Sequence, residues 1–239
     1  STDGLALLDV PPRGAMAEAR AVLTRLGALD EDGALTAHGL GLTRLPLTPR
    51  LAHLVVVAGD CGDAALGARV AAVLSEPGLG GTDIDLRERL RGFERDRSPR
   101  ATDARKLVDR WARAATGVAG NDEGVEVGTL LAGAFPERVA RARGKPGEFL
   151  LASGRGAFLD ATDALAAEPW LAVADLGGGD ARDRIRLAAP VDVGALEDRF
   201  LVEDRLTREP SGRMVMRRIR RLGAIIVDER ITGTPDRAT

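Results

Sequence analysis

At Glu148 the spacing of apolar residues changes, and that change restricts the chain to a mixed fold built in blocks. Upstream, apolar residues recur every three or four positions: Ala15, Met16, Ala19, Val22, Leu23 and Leu26 define one face of a helix that Pro11-Pro12 opens and Gly27 stops. Asp30-Glu31-Asp32-Gly33 is a turn, Thr36 caps a short helix that Pro46 ends, and Thr48-Pro49 starts another with Leu51, Leu54, Val55 and Ala58 on one side. The run Val55–Val57 would suit a strand, but its flanks favour helix. Leu66, Val70, Val73 and Leu74 mark a further helix, and two more are expected near 85–93 and 102–116, the last with Leu107, Val108, Trp111 and Ala115 pointing inward. Downstream of Glu148 the period falls to two. Phe149–Ala152, Gly156–Asp160, Trp170–Leu176 and Arg184–Ala188 are short strand-like runs separated by Gly, Asp and Pro, a spacing that suits a small barrel or sandwich. Asp192–Phe200 reads as helical, and 213–227 as a last β-rich stretch. Between the blocks, 126–146 reads as a connector in which Leu131 pairs with Phe135 and Pro136 restarts a turn carrying Arg138, Arg141 and Arg143.

Composition removes several function classes. Cys61 is the single cysteine, which excludes an intramolecular disulfide and a cysteine-based zinc site. With only His38 and His53, no histidine metal site or catalytic triad is legible, and His53 reads as a packing or surface residue and Cys61 as a small buried one. The sole Gly-Lys pair, Gly144-Lys145, is followed by proline and lacks the upstream glycine of a phosphate-cradling loop, while Gly177-Gly178-Gly179 reads as a flexible loop. Asp160 and Asp163 read as turn residues rather than an acid/base pair. No apolar run is long enough for a membrane helix, no leader pattern precedes Leu5-Ala6-Leu7-Leu8, and the opening Thr2-Asp3-Gly4 reads as a chain joined mid-domain. A soluble cytoplasmic setting is expected.

What remains is charge. The net charge is −2, with 34 basic and 36 acidic residues, and only Lys106 and Lys145 of the bases are lysine, a bias that a GC-rich genome also produces. Position is therefore more telling than number. Arg138, Arg141, Arg143, Lys145 and Arg155 crowd residues 138–158 against Glu148, whereas 159–180 carries Asp160, Asp163, Glu168, Asp175 and Asp180 without a base. Lys106, Arg110 and Arg113 line one helix face opposite Trp111, and Arg213, Arg217, Arg218, Arg220 and Arg221 crowd one strand. Guanidinium forks suit phosphate oxygens, so the first two clusters are candidates for a nucleic-acid backbone, with a solvated, locally paired face as the alternative. Aromatic residues make up 3% of the chain, with no tyrosine, which argues against a base-stacking platform.

Residues 7–76 resemble the helicase-associated region of DEAH-box ATP-dependent helicases. The resemblance rests on D-x-P-P (Asp9–Pro12), L-G-A-L-D (Leu26–Asp30), G-x-L-T-x-x-G (Gly33–Gly39) and L-P-L-x-P-R-L-A (Leu45–Ala52). AGAFPERVARARG (132–144), FLLASGRGAFLD (149–160), WLAVADL (170–176) and RIRLAAPVD (184–192) resemble the bacterial HrpB-type branch. The resemblance implies an α+β multidomain chain, with a partial winged-helix unit at 1–46, a helical ratchet-like bundle at 47–125, a connector and oligonucleotide-binding (OB)-like β-barrel at 126–200, and the start of a branch-specific C-terminal domain at 201–239. It further implies an accessory region that engages single-stranded RNA or DNA and couples it to RecA-like motor domains of the same protein. ATP and Mg²⁺ would act in those motor domains, whose motifs this sequence lacks. The nucleic-acid-binding candidates are Arg138, Arg141, Arg143, Lys145, Arg155, Lys106, Arg110 and Arg113. A free-standing winged-helix regulator and a protein-interaction module are the alternatives.

Overall fold

The structure is a computed structural model that describes residues 11–115, 124–178 and 182–233. The motif residue Asp9, the loop residue Gly179 and the acidic Asp180 lie outside the described residues. The chain divides into two compact units, Ser1–Ala71 with Arg105–Gly124, and Ala72–Ala104 with Val125–Thr239.

The first unit holds α1 (Arg13–Arg25), α2 (Ala37–Leu42), α3 (Pro49–Asp60), most of α4 (Ala64–Ser75) and the second half of α6 (Pro99–Ala115). Gly27 stops α1 at φ 69°. An antiparallel bridge, Leu29↔Leu35, spans the predicted turn, and Thr36 caps α2 by accepting from the Gly39 N–H at 2.9 Å. Seven residues of α3 are buried, Leu51 and Ala58 among them. The short Val55–Val57 run is helical, because proline at the first turn and tertiary burial outweigh β-branching. Gly67 permits α4 to lie against α3, since a Cβ there would sit 2.5 Å from the Ala58 methyl. Two expectations are corrected. Leu107 is 37% exposed while Val108, Trp111 and Ala115 are buried, and Cys61 is half-buried at the end of α3 rather than fully enclosed.

The second unit is built on a closed barrel of order β1-β2-β3-β5-β4, from β1 (Val139–Ala142), β2 (Glu148–Leu151), β3 (Gly156–Phe158), β4 (Trp170–Gly177) and β5 (Arg182–Pro190). Four strands fall where the alternation places them. The fifth, β1, lies inside the stretch read as a connecting turn. Pro136–Arg138 forms a single 3₁₀ turn, after which Val139 and Ala140 bury and pair with β2 and β4. All barrel pairs are antiparallel except β3–β5, whose register is Gly156↔Arg182, Ala157↔Asp183 and Phe158↔Arg184. Phe149, Leu151, Leu171, Val173 and Ile185 fill the interior. α7 (Val127–Ala134) covers the outside of β4 and β5, which is why β4 is apolar on both faces. The contact is made by backbone: a Cβ on Gly128 would lie 1.9 Å from the Pro190 carbonyl. α5 (Leu86–Arg95) is capped by buried Asp85, which bridges to Ala188 of β5. After a 3₁₀ stretch at Val193–Arg199, β6 (Leu201–Arg208), β7 (Met214–Leu222) and β8 (Ile225–Gly233) form a separate antiparallel sheet. The β-rich ending thus begins twelve residues earlier than the expected 213.

Candidate nucleic-acid interface

β1, β2 and the loop between them carry most of the barrel's predicted basic residues. β1 ends at Ala142, and Arg143 to Gly147 form a tight turn held by Arg143 N–H donating to Glu148 O at 2.8 Å, with Gly144 and Gly147 at φ 60° and 80°. The two glycines permit a turn in a backbone region that side-chain-bearing residues rarely adopt, and Arg143 and Lys145 stand exposed at its rim.

The remaining predicted cations of this region serve other partners. Arg138 donates to the Ala174 carbonyl at 2.7 Å, lies over the Phe135 ring and stands 3.8 Å from Glu137. Arg141, paired with Leu150 and Trp170 across the sheet, stacks on Trp170 at 5.6 Å and donates to the Ile226 carbonyl of β8. Arg155, between β2 and β3, pairs with β5: its Nε and Nη2 donate to the two carboxylate oxygens of Asp183 at 2.8 and 3.0 Å. That carboxylate occupies an inward position on β5, where the fork of Arg155 satisfies it.

Backbone also joins the three-stranded sheet to the barrel. Ala224, in the β7–β8 turn, donates its N–H to the Ala152 carbonyl at 2.8 Å, and Gly223 (φ 57°) approaches so closely that a Cβ would lie 2.2 Å from the same oxygen. Between this turn and the outer face of β1–β2 lies a groove of ≈ 340 Å³, lined by Arg141, Arg143, Leu150, Ile225 and Ile226 among others, with no carboxylate. Sequence patterning gave no sign of it, because its two walls lie more than seventy residues apart.

The arginines of β7 are half-buried and engaged in ion pairs on both faces of their sheet. Arg217 pairs with Glu209 and Glu229, Arg218 with Asp204, Arg220 with Glu197, and Arg221 with Glu203. Arg218 holds the Asp204 carboxyl below its usual range through a side-chain hydrogen bond. The strand crowded with arginine is therefore one of half-exposed, ion-paired side chains. The acidic stretch is likewise local: Asp160 accepts from Thr162 N–H and Oγ1, which lowers its pKa, and Asp163 caps the 3₁₀ turn at Ala164–Ala167.

In the other unit, Lys106, Arg110 and Arg113 are exposed along α6, and Trp111 is buried behind them. The two histidines, distant in sequence, meet there: His38 Nε2 and His53 Nδ1 are 2.8 Å apart. Burial lowers the His38 pKa, and the nearby Asp60 charge opposes that in smaller measure. Among the described residues no group of three or more His, Cys, Asp or Glu is placed to hold a metal ion, and no helix is long and apolar enough to cross a membrane.

No family model matches the chain. Among curated proteins it is 37% identical over 196 residues to the ATP-dependent RNA helicase HrpB of Escherichia coli strain K12, a match covering 80% of the chain and 23% of the relative. Two crystal structures of E. coli HrpB, described as a DExH-box NTPase and as a DEAH/RHA helicase, superpose with TM-scores of 0.81 at 30% and 29% identity. They cover 96% and 97% of the chain, which spans 28% and 29% of theirs.

Proposed function

We propose that this chain, homologous to a C-terminal region of HrpB-type DEAH-box helicases, engages single-stranded nucleic acid and passes it to motor domains of the kind that the rest of those helicases carries. The observation that carries the reading is the β1–β2 loop, with Arg143 and Lys145 exposed on a closed five-stranded barrel whose β3–β5 pair is parallel. OB barrels bind strands at their β2–β3 face and at the β1–β2 and β4–β5 loops. Phosphates are the expected targets, because the barrel's outer face offers arginine and aliphatic side chains rather than a row of stacking aromatics. Lys106, Arg110 and Arg113 form a second candidate contact.

Residues 1–46 are read as a winged-helix remainder and 47–125 as a ratchet-like bundle. As a free regulator the chain would need a basic recognition helix, whereas α2 is six residues long and holds neither arginine nor lysine. Docking of a protein through β7 is disfavoured for a different reason, since Arg217, Arg218 and Arg221 are committed to carboxylates of their own sheet.

Fluorescence anisotropy with a short single-stranded RNA and its DNA counterpart, across a salt series, tests the proposal. Log affinity is expected to fall with log salt by about 0.7 for each phosphate contacted. Absence of binding at low salt, or binding insensitive to salt, would refute it.

A further inference from the structure

We infer that the groove between β1–β2 and the β7–β8 turn is a one-nucleotide pocket, which makes the three-stranded sheet part of the strand's path. This rests on the single-strand reading above and adds to it a named receptor for the sugar and base. The groove's volume, ≈ 340 Å³, falls in the range of sites for small organic groups. Its walls are aliphatic: Leu150 half-buried on β2, Ile225 buried and Ile226 46% exposed on β8. Its charged lining consists of Arg141 and Arg143. An occupant must therefore present an apolar body beside a negative group. Every nucleotide does so, with base and ribose next to a phosphate, while a peptide must place an acid beside an apolar anchor.

The pocket is preorganised. Arg141 is held between the Trp170 ring and the Ile226 carbonyl, and the Ala224 N–H fixes the turn to Ala152. Binding therefore does not have to order these walls. Arg143, exposed where β1 gives way to the loop, meets the phosphate, and Lys145 lies two residues further along the same loop.

The test uses the full chain, a fluorescein-labelled oligouridylate and a copy of it with abasic sites. Ile226→Ser, at an exposed position, is expected to weaken oligouridylate binding about five-fold with the salt slope unchanged. Ile226→Trp is expected to tighten it by a similar factor, because an indole stacks on a base. The abasic strand should bind wild type more weakly and be indifferent to Ile226→Ser. Arg143→Gln should instead lower the slope by about 0.7. If both Ile226 variants bind as wild type does while Arg143→Gln weakens binding, the pocket is overturned and the loop reading stands. If wild type binds no strand at low salt, both fall. Capture of an acidic, leucine-bearing peptide at Ile226 in place of RNA would likewise overturn the nucleotide assignment.

Discussion

Arg155 is a nucleic-acid candidate by sequence, and the structure gives it a carboxylate partner whose contribution can be measured. Its guanidinium side chain is 55% exposed while the Asp183 side chain that it forks onto is 9% exposed. Truncation to Arg155→Ala would leave a carboxylate facing the barrel interior without that fork. Breaking a fully buried pair costs ~3–5 kcal/mol, and an exposed pair contributes ~0–1 kcal/mol. With one partner inside and the other half in solvent, a loss of ~2 kcal/mol is expected. The two tryptophans lie one in each unit, so in a Trp111→Phe background Trp170 fluorescence follows the barrel alone through a urea titration. The midpoint should fall in Arg155→Ala with the slope unchanged. It should recover in the double variant Arg155→Met with Asp183→Leu, since an apolar pair of similar volume leaves no charge stranded. An Arg155→Ala protein as stable as wild type yet unable to bind single strands would refute the reasoning and return Arg155 to the interface.

Arg141→Glu with Arg143→Glu should weaken single-strand binding about ten-fold more than Lys106→Glu with Arg110→Glu in the same anisotropy assay, and equal losses would place the main contact elsewhere. Gly128→Ala should cost ~2–3 kcal/mol by urea unfolding, because its methyl meets the Pro190 carbonyl. Because burial holds the His38 pKa below its usual value, the unfolded chain takes up the proton first, so stability is complete above about pH 6.5 and lost as pH falls through the lowered pKa. Trp111-monitored unfolding between about pH 7.5 and 5.5 should show that loss, and His38→Gln should remove it. The chain alone should release no phosphate from ATP with or without RNA, and strand-stimulated turnover that survives purification would contradict this.

Much of the architecture was legible because it depends on local period. The helix starts at Thr36 and Pro49, the inward alternation of Ile185 and Leu187, and the turn roles of Asp160 and Asp163 are all short-range properties. β1 was not, since Val139–Ala142 offers only four residues and no alternation between a proline turn and a glycine turn, and its strand character comes from partners on either side. The extent of the last sheet was missed for a related reason: β6 is an edge strand, largely exposed, with too few inward apolar residues to show a pattern. Among the candidate contacts, sequence grouped Arg143 and Arg155 in one basic cluster and had no means to tell the exposed loop arginine from the one forked onto a carboxylate, because that difference depends on Asp183, a residue 28 positions away.

The two long-range pairings that close the barrel, parallel β3–β5 and antiparallel β1–β4, also govern the order in which it can assemble. β1 and β2 zip through a short turn, β2 and β3 through another, and β4 and β5 form their own hairpin. β3 cannot complete its outer edge until β5 arrives alongside, an event that closes a loop of more than twenty residues and is correspondingly slow. Until then Gly156–Phe158 presents open backbone to other chains in the same state, so the window for misassembly during refolding is set by arrival of β5 rather than by formation of any hairpin.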